Sequence, residues 1–307
     1  MPAMTTTIIR PGQFEVATGD IPELRLPDFQ PFARRARRLR QLAAGHSLGD
    51  YLIFAAALAD AQQNQLDRLP ALPLPDADLL ARCREHGMPP LAPGGWPRDP
   101  VWRTVVIQLT DTLDGIAPAP ARAAFARLRE AGDEWLESQA DRLLDGDRQG
   151  LDVACAPVIG AALQICWTRL AAALDTVWIA RPESHGLCPV CGSPPVAGVV
   201  RIGDAGHGLR YLHCALCGTE WHVVRAQCSH CDNDKGIVYY TVEDRKDPVQ
   251  AEACPECGSY LKLCRMDRDP DVEPSADDLA SLALDLLTSE EKFVRSGVNY
   301  LMLQGDG

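Results

Sequence analysis

Positive charge is in short supply in this sequence of 307 residues. Lys and Arg number 30 against 42 Asp and Glu, which gives a formal net charge of −12. A protein that binds nucleic acid through the phosphate backbone needs basic residues in excess. The charge balance therefore argues against a general nucleic-acid-binding protein.

Targeting signals and membrane-spanning runs are also missing. The first 29 residues contain no basic start followed by an apolar stretch, so we expect no signal peptide. The longest apolar stretch, about 159–180, contains Gln164, Arg169 and Asp175, which predicts a buried helix and no membrane insertion. We expect a cytoplasmic protein. Thiols stay reduced in that compartment, so the twelve cysteines are expected to be metal ligands or catalytic thiols and not disulfides.

Cysteine divides the chain, because nine of the twelve lie between Cys188 and Cys264. Upstream, stretches rich in Ala, Leu, Arg and Glu are punctuated by Gly and Pro, as is typical of helices. They predict helices near 30–44, 47–66, 101–113, 119–131, 133–145 and 152–180, and a short helix at 76–86 inside a Pro-rich connection. We therefore predict a mostly α N-terminal helical domain, residues 1–184.

Eight cysteines form four Cys-x-x-Cys pairs with a repeating separation. The pairs are Cys188 and Cys191, Cys214 and Cys217, Cys228 and Cys231, and Cys254 and Cys257. Successive pairs are separated by 22, 10 and 22 residues. Two C-x2-C-x22-C-x2-C units are close to the spacing of zinc ribbons, and rubredoxin-type iron uses the same layout. Each pair would form a tight turn, a knuckle, and a β-hairpin between two knuckles would bring four sulfurs together.

We predict two tandem rubredoxin-like or zinc-ribbon β-hairpin modules, residues 185–226 and 227–270, with one tetracysteine site each. The first site is Cys188, Cys191, Cys214 and Cys217, and the second is Cys228, Cys231, Cys254 and Cys257. A crossed pairing of the two middle knuckles is the alternative, and it would leave the outer four cysteines without a hairpin. A reactive dithiol of thioredoxin type needs a helix after the pair, and none is convincing here. Four thiolates accept iron or zinc, so the residues do not choose between these metals.

The residue after each knuckle favours an unusual backbone conformation. Gly192, Gly218 and Gly258 occupy this position in three knuckles, and Asp232 occupies it in the remaining one. A positive φ costs glycine nothing, and Asp tolerates it better than most residues. We therefore predict a left-handed conformation at all four positions.

Other residues near the sites receive a less specific interpretation. Four histidines are expected to lie beside the sulfurs or at the surface, with a role as substitute ligands as the alternative: His207, His213, His222 and His230. Four aromatic residues are expected to form the small cores of the modules: Tyr211, Trp221, Tyr239 and Tyr240. Four cysteines without partners at ligand spacing are expected to be apolar fillers: Cys83, Cys155, Cys166 and Cys264.

Two features outside the cysteine region leave alternatives open. A basic run predicts a solvated helix face, or else a contact for an acidic partner: Arg34, Arg35, Arg37, Arg38 and Arg40. A C-terminal helix, within 271–307, is predicted to start with Ser275 as its cap, and its apolar stripe is expected to be core more than a partner groove: Leu279, Leu282, Ala283, Leu286 and Leu287. The whole is a multi-domain α+β protein.

The chain resembles the FdhE family of formate dehydrogenase accessory proteins. The likeness rests on the four knuckles, on Arg210-Tyr-Leu-His-Cys-Ala-Leu-Cys-Gly-Thr-Glu-Trp221, on Gly45-His-Ser-Leu-Gly-Asp-Tyr-Leu52, and on Ser275-Ala-Asp-Asp-Leu-Ala-Ser-Leu-Ala-Leu-Asp-Leu-Leu287. The resemblance implies a cytoplasmic factor needed for active respiratory formate dehydrogenase. It also implies binding of the catalytic subunit before export, and rubredoxin-like iron at the cysteine sites.

The residues themselves indicate binding and not catalysis, because no nucleophile with a base and no phosphate loop is readable. A nucleic-acid-binding zinc-ribbon protein is the alternative. Residues 186–265 hold eight Lys and Arg against nine Asp and Glu, so the cysteine region is not basic either. A thiol oxidoreductase is the third class, and bound metal that resists alkylation would exclude it.

Overall fold

The computed structural model describes the backbone of residues 5–8, and residues 21–94, 96–180, 185–203, 208–242 and 247–302. Its α-helices in chain order are α1 Pro31–Ala43, α2 Gly49–Arg68, α3 Ala77–Glu85, α4 Val101–Leu113, α5 Ala119–Glu130, α6 Asp133–Asp145, α7 Ala156–Ala173, α8 Pro274–Ala280 and α9 Leu282–Glu290. A 3-10 turn, Thr176–Trp178, follows α7. The predicted mostly α N-terminal region is confirmed, with each predicted helix near its expected place.

The strands of the described residues form one sheet. They are β1 Thr5–Ile8, β2 Leu24–Arg25, β3 Pro195–Val200, β4 Arg210–Cys214, β5 Glu220–Val223, β6 Val238–Thr241, β7 Val249–Ala253, β8 Ser259–Arg265 and β9 Val294–Arg295. The order is β1-β6-β7-β8-β3-β4-β5-β2, and β9 pairs with β8. The hairpins predicted between paired knuckles are β3–β4 and β6–β7, both antiparallel.

The two cysteine repeats are joined through a parallel pairing of β3 with β8. Gly198 lies opposite Leu263 in this pairing. A Cβ atom at Gly198 would lie 2.9 Å from Cδ1 of Leu263, so a larger residue would require the Leu263 side chain to shift. The repeats therefore form one sheet and not two separate hairpins.

Helix α7 forms the centre of the main core. It has the length and apolarity of a membrane span, but 78% of it is buried inside the protein. This confirms the prediction of a buried helix. The same core contains residues of α1, α2 and α4 and the knuckles of the first site. The C-terminal segment also reaches α7, where Gly160 leaves room for Tyr300.

The predicted C-terminal helix is present as two consecutive short helices that meet at Ser281. The predicted cap residue is wrong. The side chain of Glu273, and not that of Ser275, accepts a hydrogen bond from the N–H of Ala276, at 2.7 Å. The apolar stripe is only partly core, because Leu279 is fully buried whereas Leu286 is 67% exposed.

The buried face of α8 is acidic, and cations from three other parts of the chain neutralise it. Asp278, which is 0% exposed, accepts two bonds of 2.7 Å from Arg295 and lies 3.3 Å from Nζ of Lys262. Lys262 also donates to Asp285 at 2.6 Å. Although burial alone would raise it, the charges of Lys262 and Arg295 hold the pKa of Asp278 below its usual value.

The basic run on α1 provides the matching contact on the helical side. The expectation of a solvated face is wrong for Arg35 and Arg38, which are 4% and 8% exposed. Arg38 donates to Asp277 at 2.9 and 2.7 Å, and Arg35 lies 3.2 Å from Glu273. The acidic partner of these arginines is therefore α8 of the same chain, because an unpaired guanidinium would be too costly to bury.

Candidate metal centres

The sulfurs of the first site lie within one buried cluster. Sγ of Cys188 is 3.7 Å from that of Cys217, and Sγ of Cys191 is 3.4 Å from that of Cys214. All four sulfurs lie within 4.8 Å of one another, and all four residues are buried.

The second site repeats this arrangement. Sγ of Cys228 lies 3.7 Å from that of Cys257, and Sγ of Cys231 lies 3.7 Å from that of Cys254. These four sulfurs are again within 4.8 Å of one another. The knuckles thus meet within each repeat, and not in the crossed arrangement.

The distances fit a tetrahedral metal site. A thiolate bonds zinc at about 2.3 Å, which places neighbouring sulfurs of a tetrahedron about 3.8 Å apart. The observed sulfur–sulfur separations of 3.4–3.7 Å lie close to that edge length. The donor set is four thiols in each case, which suits zinc or rubredoxin-type iron. Both groups can therefore hold one ion each with little movement.

The backbone of all four knuckles closes in the same way. In each knuckle the N–H of the first cysteine donates to the carbonyl five residues later, at 2.8–3.0 Å. The residue after the second cysteine has a positive φ throughout, as predicted: 74° at Gly192, 74° at Gly218, 59° at Asp232 and 69° at Gly258. This turn directs backbone N–H groups at sulfur, and Cys217 N–H lies 3.4 Å from Sγ of Cys214.

A second polar position in the knuckle was missed by the sequence analysis. Two residues after the second cysteine stands a small polar side chain in every knuckle: Ser193, Thr219, Asn233 and Ser259. The hydroxyl of Thr219 is 3.1 Å from Sγ of Cys217, and that of Ser259 is 3.0 Å from Sγ of Cys257. Hydrogen bonds of this kind stabilise a thiolate. The recurrence of a small polar residue at one offset was the available signal.

The helical region encloses the first site. Gln164 of α7 donates to the carbonyl of Ala215 at 2.7 Å, and the N–H of Leu91 donates to the carbonyl of Val190 at 2.8 Å. Burial raises the pKa of the Cys188 thiol well above its usual value, because an isolated thiolate is poorly solvated there. A bound cation would remove that penalty, since metal-bound thiols are deprotonated.

An ion pair lies immediately beyond the second knuckle. Glu220 is buried on β5, and Arg201 and His213 bond to its carboxylate, with Nδ1 of His213 at 3.1 Å. Although burial alone would raise it, the bond from His213 and the charge of Arg201 lower the pKa of Glu220 to about 2. His213 therefore anchors a strand and is not a member of the four-sulfur group.

The remaining expected neighbours fall into three groups. His222 lies beside Tyr211 in an edge contact of 5.6 Å, and His230 is exposed, whereas His207 lies outside the described residues. The four aromatic residues expected as cores are all buried: Tyr211, Trp221, Tyr239 and Tyr240. So are the four cysteines expected as apolar fillers: Cys83, Cys155, Cys166 and Cys264.

The fold and the sites define a class: a mixed α+β protein with two paired, zinc-ribbon-like tetracysteine clusters. Each Cys-x-x-Cys pair lies in a turn that leads to a strand, not to the helix that a thioredoxin-type dithiol needs. Models described as FdhE, N-terminal, FdhE, central domain, and FdhE, C-terminal domain match residues 21–182, 187–225 and 226–302. The chain belongs to the FdhE family.

Relatives support this over nearly the whole chain. The "Protein FdhE homolog" of Pseudomonas aeruginosa is 43% identical over 98% of this chain and 99% of its own length. "Protein FdhE" of Salmonella arizonae is 42% identical, with 96% of each chain covered. The crystal structure of the FdhE protein from Pseudomonas aeruginosa superposes with a TM-score of 0.85 at 42% identity, covering 93% of this chain and 100% of that one.

The two helical stretches that carried the resemblance, 45–52 and 275–287, contact each other. Nδ1 of His46 accepts the N–H of Leu48 at 3.0 Å, so Nε2 carries the proton that it donates to the carbonyl of Ala280, at 2.9 Å. Tyr51 donates to the carbonyl of Leu301. The stretch 45–52 therefore connects the α1–α2 turn to the C-terminal segment, at Ala280 and Leu301.

Proposed function

We propose that this protein is a cytoplasmic, metal-binding accessory factor needed for the formation of active formate dehydrogenase, and that it binds the catalytic subunit before export. The observation that carries the proposal is the grouping of eight sulfurs into two sets of four. Its context is a chain that matches the FdhE family over residues 21–182, 187–225 and 226–302.

The eight cysteines are the metal ligands in this proposal, with one ion for each set of four. Iron held as in rubredoxin is the preferred metal, and zinc is the alternative. Bound iron would supply one-electron chemistry, whereas zinc would only shape the surrounding surface.

A binding role suits these sites better than turnover. Four thiolates fill all four positions of a tetrahedron, so no position is left for a substrate on the metal. The first site is also enclosed by the protein. The acidic chain, with its net charge of −12, is then suited to holding a partner protein while that partner matures.

Metal analysis tests the proposed metal binding and its ligands. Protein purified without air should contain two metal ions per chain, and its visible spectrum should show thiolate-to-iron bands if the metal is iron. Cys191→Ser and Cys257→Ser should each remove about one equivalent, because each leaves one site with three sulfurs. Cys83→Ala, a buried cysteine outside both sites, is the matched control. Two equivalents in both serine variants would contradict the ligand assignment.

Deletion of the gene tests the proposed role in forming active formate dehydrogenase. The formate dehydrogenase polypeptide should be present at normal amounts on an immunoblot, yet formate oxidation with an artificial acceptor should be strongly reduced. The normal gene and Cys83→Ala should restore oxidation, and a variant with Cys191→Ser and Cys257→Ser together should not. Full oxidation in the deletion strain would refute the role. A pull-down that recovers RNA in place of the dehydrogenase would favour a nucleic-acid function.

A further inference from the structure

The two tetracysteine sites have the same local geometry but unequal enclosure. In the first site every residue of both knuckles, 188–191 and 214–217, is buried. The outer side of each knuckle is also covered. A Cβ at Gly192 would meet Pro89 at 3.4 Å, and one at Gly218 would meet Pro27 at 3.6 Å.

The second site is open on one side. Cys228 and Cys254 are buried, but Cys231 and Cys257 are exposed. Their neighbours on the knuckle tips, 230–232 and 255–257, are exposed as well. A Cβ at Gly258 would have nothing within 4 Å, in contrast to the covered glycines of the first site.

Exposure of the sulfurs controls how an ion leaves. A donor atom from outside must reach the ion or the sulfur that it displaces, and each metal–sulfur bond that breaks is replaced by a bond to the new donor. The freed thiolate then takes a proton from water. This exchange can start at the Cys231–Cys257 edge without unfolding. At the first site it requires the helical region to separate from the knuckles.

We propose that the second site holds an exchangeable ion that external ligands reach directly, whereas the first site holds a locked ion that is part of the core. The inference rests on the metal binding in the proposed function. It assigns different roles to two sites that have the same residue spacing.

Zinc transfer to the chelator 4-(2-pyridylazo)resorcinol tests the proposal on the full, zinc-loaded chain. One equivalent should leave quickly and the other about a hundredfold more slowly or not at all, because local opening is far more frequent than global unfolding. Cys257→Ser should lack the fast phase, and Cys83→Ala should behave like the unchanged protein. Mild denaturant should accelerate the slow phase selectively.

Alkylation gives an independent assignment that needs no variant to fold. Iodoacetamide treatment of the loaded protein, followed by peptide mass spectrometry, should label Cys231 and Cys257 well before Cys188 and Cys217. Two ions that leave at one rate, or uniform labelling of these four cysteines, would overturn the inference while preserving metal binding. Fewer than two ions at the start would instead overturn the metal-binding proposal and the inference with it.

Discussion

The buried carboxylate of Asp278 should be among the most sensitive polar positions for stability. It is 0% exposed and lies between Lys262, which is also fully buried at its side chain, and Arg295. With Asp285, these residues form a set of two cations and two anions. Asp278→Asn keeps the shape of the side chain and leaves one positive charge uncompensated.

The magnitude follows from distance and burial. A charge pair 3.3 Å apart, as Lys262 and Asp278 are, attracts with about 5 kcal/mol at an effective dielectric constant of about 20. Part of this is offset by the cost of desolvating both groups. Loss of one partner of a buried pair therefore costs about 3–5 kcal/mol, which is a large share of the roughly 5–15 kcal/mol that holds a typical domain folded.

Urea unfolding of equally metal-loaded variants, followed by circular dichroism, measures this cost. Lys262→Met should also destabilise, and the double variant should cost less than the sum of the two singles by about 1–3 kcal/mol, because the charge imbalance is removed. The exposed pair Arg40 and Asp60 gives a control cycle, in which a coupling of at most about 1 kcal/mol is expected. If Asp278→Asn cost no more than Asp60→Asn, the argument from buried charge would be refuted.

Three further predictions concern single positions. Gly160→Ala places a Cβ 2.7 Å from Tyr300 Cβ and should destabilise the protein by about 1–3 kcal/mol in thermal unfolding, whereas Gly94→Ala, with open space, should be nearly neutral. Glu220→Gln should destabilise the protein by about 2–4 kcal/mol at pH 7, because the pKa of Glu220 is about 2 in the folded protein and lies below its value in the unfolded chain. The difference in unfolding free energy from the unchanged protein should shrink as the pH falls below about 4.5, and a constant difference would contradict the pairing. Asp232→Gly should keep the ion of the second site. In Asp232→Val the valine is forced to a φ of 59°, so this variant should bind that ion about tenfold more weakly in a competition titration. Equal affinities of the two variants for the ion would show that the turn is not strained.

Local features of this protein could be predicted from the sequence because short-range interactions determine them. The helix at 119–131 follows from its Ala- and Arg-rich composition, and the positive φ of Asp232 follows from its place after a Cys-x-x-Cys pair. The hairpins between knuckles follow from the Cys-x-x-Cys spacing, because a hairpin is needed to bring two knuckles together. None of these features depends on which distant segment packs nearby.

Burial was decided by the tertiary structure. The sequence of α1 shows five arginines, but only contact with α8 shows that Arg35 and Arg38 are buried against acids more than 200 positions away. The acids of α8, Asp277 and Asp278, form the buried face of that helix, and the local sequence does not show this burial.

The cysteine spacing by itself indicated two equivalent sites of four sulfurs, because the separation within each repeat is the same. Only the fold makes the sites unequal: Pro27 and Pro89 cover the knuckles of the first, and Cys231 and Cys257 of the second remain exposed. The physical reason is that sulfur geometry depends on a turn of a few residues. Access to the sulfurs depends on which distant segments pack over that turn, and nothing in the repeat itself encodes it.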